Sequence, residues 1–151
     1  MNHFACLTLG IVAAALGAPA SAQFAKPEDA IRYRQSALFV MAQHFGRIGA
    51  MVNVKAPYDA KAAADSAELV STMSHLPWAA FGPGTERGAT TRAKPEIWTD
   101  QAKFREAQDR LMGETTKLAS AARANNLDTL KPAFTATAGA CKNCHDTFRK
   151  D

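Results

Sequence analysis

The sequence predicts an all-α fold, an antiparallel four-helix bundle, and three observations carry that expectation. Apolar residues recur at alternating spacings of three and four along four long segments, which is the period of one helix face. Pro27, Pro57, Pro77, Pro83, Pro95 and Pro132 fall between those segments or at their first turns, where a missing N–H is tolerated. The most distinctive motif, Cys141-Lys142-Asn143-Cys144-His145, lies on the last segment and follows no strand-like stretch. With 151 residues, 47% of them hydrophobic, the chain has apolar material for one core.

Residues 1–22 read as an export signal. Phe4 to Leu16 is almost wholly apolar and free of acidic or basic side chains, and Ala20-Ser21-Ala22 supplies a small-x-small cleavage pattern, although the amino-terminal region carries His3 and no Lys or Arg. The run is too short, and too close to Pro19, for a membrane span. Residues 23–151 then form the single folded domain, in an oxidising compartment, the periplasm.

The first helix is expected over Pro27 to Val52. Ile31, Leu38, Phe45 and Val52 recur every seven residues, with Met41, Ala42, Ile48 and Gly49 beside them. Arg34 and Gln35 fall on the same inward stripe, where a polar pair needs partners to offset its burial. The second helix is expected over Asp59 to Leu76, with Ala62, Ser66, Leu69, Met73 and Leu76 as its stripe, widened by Ala63, Ala67 and Val70. Small residues there suit close packing in the core or a dimer contact. His75 reads as an ordinary helix-end residue. Between Pro77 and Pro95 lies the longest irregular stretch, in which Trp78 and Phe81 are too apolar for solvent and are expected to turn back inward.

The third helix is expected to run from just after Pro95 to Arg123, with Ile97, Phe104, Leu111 and Leu118 spaced by sevens, until Asn125-Asn126 breaks it. The fourth carries Leu127, Leu130, Phe134, Thr137, Cys141, Cys144 and Phe148 at threes and fours. This places both cysteines on the buried stripe, with His145 and Arg149 flanking it.

C-x-x-C-H is the pattern of covalent heme attachment. On a helix, thiols three positions apart share a face and can each add to a vinyl group on one porphyrin edge, while the next residue presents an imidazole to the iron. The bundle is therefore expected to hold one heme c, covalent through Cys141 and Cys144, with His145 as iron ligand. Competing readings of the same residues are a structural zinc site, which wants a fourth ligand, a redox thiol pair, which belongs at the start of a helix after a strand, and a structural disulfide, strained at this spacing.

The segments Gln23-Phe24-Ala25-Lys26-Pro27-Glu28-Asp29-Ala30, Arg34-Gln35-Ser36-Ala37-Leu38 and Leu76-Pro77-Trp78-Ala79-Ala80-Phe81, with the C-terminal motif and Arg149, resemble bacterial cytochrome c′, the class II c-type cytochromes. The resemblance implies a five-coordinate, largely high-spin heme with His145 as its sole protein axial ligand. It further implies Arg149 as the proximal arginine, Arg34 and Gln35 as heme contacts, Leu38 over the distal face, and a homodimer through the first two helices. Trp78 and Phe81 are then expected against the porphyrin.

Two function classes follow. One is a non-enzymatic carrier that exchanges electrons with an unidentified redox partner and binds nitric oxide and carbon monoxide. The other is a heme enzyme, a weak peroxidase or nitric oxide reductase, which would want a distal acid–base residue. His44 falls outside the inward stripe, which favours the carrier. A variant of the carrier is low-spin, with Met41 the nearest candidate for a sixth ligand, although that residue is expected to pack in the core. The formal net charge of +4 is modest, so neither nucleic acid nor a membrane is an expected partner.

Overall fold

The computed structural model describes residues 23–150, so the expected export signal lies outside the described residues. Five α-helices follow in order: α1 (Pro27–Val52), α2 (Ala60–Met73), α3 (Glu96–Thr99), α4 (Gln101–Arg123) and α5 (Leu127–Phe148), with a 3₁₀ turn at Trp78–Phe81. The four long ones make the bundle. α2 packs against α1 and α4, and α4 against α5, while α1 and α5 meet only sparingly. The bundle is thus open along the α1/α5 seam.

Local chemistry explains most helix ends. Pro27 opens α1 with its φ already helical, and Glu28 and Asp29 complement the positive end of the helix dipole. Asp59 caps α2 by accepting from the Ala62 N–H at 3.0 Å, and Asn126 caps α5 by accepting from Asp128 and Thr129. α1 ends in a Schellman-type turn, in which Lys55 N–H bonds to Ala50 O and Val54 N–H to Met51 O. Val54 occupies the left-handed position of that turn at φ 57, a conformation that β-branched residues resist. Its side chain is 82% exposed and packs against nothing that compensates. Val54→Gly is therefore expected to raise stability by about 0.5–1 kcal/mol, read as a higher midpoint in urea.

The core runs through Met41, Ile48, Val70, Leu111, Leu118 and Leu130, with alanines at 63, 67, 119, 122 and 140. A second cluster at the α3 end joins Ile97, Phe104 and Phe148 to Trp78, Phe81 and Trp98. Phe45 and Phe134 stack face to face at 4.4 Å across the seam. Gly49 permits this approach, since a Cβ there would meet the Phe134 ring at 3.0 Å.

Four expectations are corrected. The third helix is not continuous: Asp100 leaves helical geometry at φ −121, ψ 63, and its side chain accepts from Lys103 N–H, ending α3 and capping α4. α2 ends at Met73, and its buried face is Ala63, Ser66, Ala67 and Val70. Ala62, Leu69 and Leu76 are instead exposed, because doublets such as Ala62-Ala63 and Leu69-Val70 present two apolar faces of which only one meets the core. Pro132 lies one turn inside α5 and not at its first turn. On α1, Ala42 and Gln35 are exposed and border the seam.

Candidate functional site

The open seam leads into a cavity of about 550 Å³, within the usual range for cofactor sites. One side is α1, with Leu38, Met41, Ala42 and Phe45; the other is α5, with Thr137, Cys141, Cys144, His145 and Phe148. Val70, Leu111 and Thr115 line it from α2 and α4, and Trp78, Phe81, Ile97 and Phe104 from the aromatic cluster. Polar side chains gather where Gln35, Thr91, Arg92 and Arg149 join the lining. The structure brings all nine sequence-predicted site residues, Arg34, Gln35, Leu38, Trp78, Phe81, Cys141, Cys144, His145 and Arg149, to this one cavity.

Helix period explains the C-terminal set. Cys141 and Cys144, three apart on α5, are partly buried on its inward stripe, and His145 sits on the outer flank. Burial pushes the Cys141 thiol up, and burial with the neighbouring Cys141 pushes Cys144 up to about 11. Both thiols are therefore protonated at neutral pH. A redox pair works through a depressed thiol pKa, so this environment argues against that reading. Among the described residues no three His, Cys, Asp or Glu side chains converge as a small-ion site, so their geometry gives the zinc reading no support.

His145 is held below its ordinary pKa, first by burial and then by the charge of Arg149, whose Nη1 lies 3.4 Å from His145 Nδ1; Asp146 opposes the shift and Arg92 adds to it. The neutral imidazole, the form that can ligate a metal, is thus favoured down to lower pH than in a free histidine. Two protonated thiols and a neutral imidazole at the edge of a largely apolar cavity with a polar rim match a flat apolar macrocycle carrying carboxylates. The residues present fit a heme.

Arg34, which the resemblance makes a heme contact, has its donors engaged within the protein. It is 2% exposed, and loop atoms already take its donors: Nη1 bonds to Ala80 O at 2.8 Å and Thr85 Oγ1 at 3.1 Å, and Nη2 to Thr85 O at 3.0 Å and Thr91 Oγ1 at 3.2 Å. Its guanidinium also lies over the Phe81 ring at 4.4 Å. Burial lowers its pKa to about 10, against the opposing charge of Glu86, so it is still a cation at neutral pH. Gln35 is likewise committed to the loop, donating to Thr90 O at 2.9 Å.

Trp78 and Phe81 turn inward, line the cavity and also pack on Phe104. His44 is half-buried away from the cavity, with its Nδ1 enclosed and unpartnered among the described residues. His75 is exposed beyond the end of α2. Sequence reasoning missed Thr91 and Arg92, which reach the cavity because residues 92–94 pair with 148–150. Nothing local in the polar run 85–94 marks that long-range pairing.

The sequence model of the cytochrome c′ family matches residues 29–149. Cytochrome c′ of Alcaligenes xylosoxydans xylosoxydans is 52% identical over 128 residues, covering 85% of this chain and 98% of the relative, and cytochrome c′ of Rubrivivax gelatinosus is 51% identical over 128 residues, covering 85% and 99%. The crystal structure of the Rubrivivax protein superposes with a TM-score of 0.83 at 51% identity, over 85% of this chain and all of that one. A nitric oxide complex of an Alcaligenes xylosoxidans cytochrome c prime mutant gives 0.79 at 50% identity, over 85% and 99%. A seam-open four-helix bundle, a C-x-x-C-H motif at the rim of its cavity and these similarities lead to one assignment: the chain belongs to the cytochrome c′ family.

Proposed function

We propose that this chain is an exported, periplasmic c-type cytochrome that carries one heme c through Cys141 and Cys144, exchanges electrons with a partner, and binds nitric oxide and carbon monoxide. The heme, when bound, supplies the redox-active, gas-binding iron. His145 would supply the protein ligand to its iron, and Leu38, on the α1 wall of the same cavity, would restrict the approach of ligands. The observation that carries this reading is the meeting of the two thiols, the imidazole and an apolar Leu38 on one cavity. Relatives crystallised with nitric oxide and with carbon monoxide support gas binding.

Among the described residues the cavity lining includes no carboxylate and no imidazole besides His145, which supports the carrier over a peroxidase needing a distal acid–base group. Export rests on residues 1–22. Among the described residues no helix is long and apolar enough to cross a membrane.

Absorption spectra of the mature protein, taken oxidised, reduced, and reduced with carbon monoxide, test the proposal. A high-spin spectrum that shifts on adding the gas is expected. A low-spin spectrum indifferent to the gas would instead favour Met41, which lines the same cavity, as a sixth ligand. Absence of covalent heme would overturn the assignment.

A homodimer through α1 and α2 is supported by the exposed apolar side chains Val40, Leu69 and Leu76 on those helices and just beyond α2. Leu69→Glu is expected to shift the protein to monomer in analytical ultracentrifugation without loss of heme, because Leu69 faces away from the cavity. An unchanged sedimentation coefficient would place the interface elsewhere.

A further inference from the structure

We infer that Thr91 is a positioning residue, which holds the Arg92–Lys94 strap so that Arg149 stays beside His145, and which ties that contact through Arg34 to the α1 turn carrying Leu38. The inference rests on the reading of His145 as heme ligand.

Arg149 lies past the last turn of α5, with extended backbone at φ −122, ψ 135, so the helix does not fix its direction. The strap does. Ala93 pairs antiparallel with Arg149, Lys94 N–H donates to Phe148 O at 2.9 Å, and Lys150 N–H donates to Arg92 O at 2.8 Å. Arg92 Nε adds a bond to Lys150 O at 3.0 Å. Without these bonds a chain segment beyond a helix end would fray.

The strap is joined to α1 through Thr91, next to the Gln35 bond to Thr90 O, and Lys94 Nζ also donates to Asp146 O at 3.0 Å. Thr91 Oγ1 accepts from Ala93 N–H at 3.2 Å and from Arg34 Nη2 at 3.2 Å. Arg34 is rigidly seated, through its bonds to Ala80 and Thr85 and its stacking on Phe81 and Trp98. A continuous chain of contacts therefore runs Arg34, Thr91, Ala93, Arg149, His145. It begins one helical turn before Leu38 and ends at the imidazole on the other side of the cavity.

The chemical consequence follows from the position of the guanidinium. A cation held at Nδ1 opposes positive charge on the ring and weakens its donation through the other nitrogen, as partners of a ligating histidine generally tune it. Letting Arg149 swing away strengthens that donation.

The test compares holo wild type, Thr91→Val, Thr91→Ser and Arg149→Gln, and the Thr91→Val/Arg149→Gln double variant. Amide hydrogen exchange reads the strap, and resonance Raman of the reduced protein reads the iron–histidine stretch. Thr91→Val keeps the shape but removes the acceptor, and is expected to speed exchange at Ala93, Lys94 and Lys150 about five- to tenfold. It should also raise the stretching frequency; Thr91→Ser should restore both, and in the Arg149→Gln background Thr91→Val should no longer move the frequency. Faster exchange with an unmoved frequency, or an equal shift in both backgrounds, overturns the inference, as does unchanged exchange. If Thr91→Val does not fold, Arg34→Lys decides by the same two readouts. A wild type lacking an iron–histidine band fails the reading of His145 itself, before any variant is compared.

Discussion

His145→Ala is expected to leave heme covalently attached and to abolish its native axial ligation. Under the proposed function attachment uses the thiols of Cys141 and Cys144, on the inward stripe of α5, while His145 lies on the outer flank of that helix, so the two roles would sit on separable side chains. His145 is only partly shielded where it lines the cavity, and among the described residues its side chain has one hydrogen-bond contact, with Arg149, so truncation removes little core packing. Alanine is also the better helix former. The cost in folding stability should therefore stay below about 1 kcal/mol. The expected result is a band that still carries heme after denaturing electrophoresis, with absorption spectra altered in both oxidation states and moved back toward wild type by added imidazole. Unchanged spectra would remove His145 from the site. The complementary double variant, Cys141→Ser with Cys144→Ser, should give the opposite pattern: no heme surviving denaturation, whatever the fold retains.

Those residues were legible in the sequence because their spacing is local. Three positions set two thiols on one helix face, and a fourth residue sets the imidazole beside them. The long stripes of α1, α4 and α5 were legible for the same reason, with Ile97, Phe104, Leu111 and Leu118 all buried as their sevenfold spacing predicts. α2 was legible as a helix but not in its rotation. Its alanines and its Leu69-Val70 pair give two apolar faces of similar width, and only the tertiary neighbours choose between them. Asp100 hid its break because the apolar spacing runs straight across it, from Ile97 to Phe104, while the cap that ends α3 depends on one backbone rotation. Arg34 was recognised as a polar residue on a core face, yet its partners are loop carbonyls and hydroxyls from residues 80, 85 and 91. No periodicity reports such partners, which come from a loop distant in sequence.

Leu38→Ala is expected to raise the carbon monoxide association rate of the reduced protein by about 10- to 100-fold. Leu38 lines the cavity from α1, one turn beyond the anchored Arg34, and is only half-buried against the core. With heme bound as proposed, its side chain would act as a cover that a ligand reaching that face would have to push aside. Displacing an aliphatic side chain from apolar contact costs about 1.5–3 kcal/mol, and removing a barrier of that size accelerates association by one to two powers of ten. Arg34 bears on this estimate, because its loop bonds and its seat over Phe81 hold the preceding helical turn in place. The cover must then open by moving the Leu38 side chain alone, since the helix beneath it cannot easily shift. Stability should fall by less than the 2–5 kcal/mol of a fully buried leucine, because part of the side chain already faces the open cavity. An association rate unchanged by the substitution would mean that Leu38 is not the cover. Entry would then be limited by Phe39 and Phe45, the other bulky α1 side chains lining the cavity, and the same measurement on Phe39→Ala and Phe45→Ala would identify which.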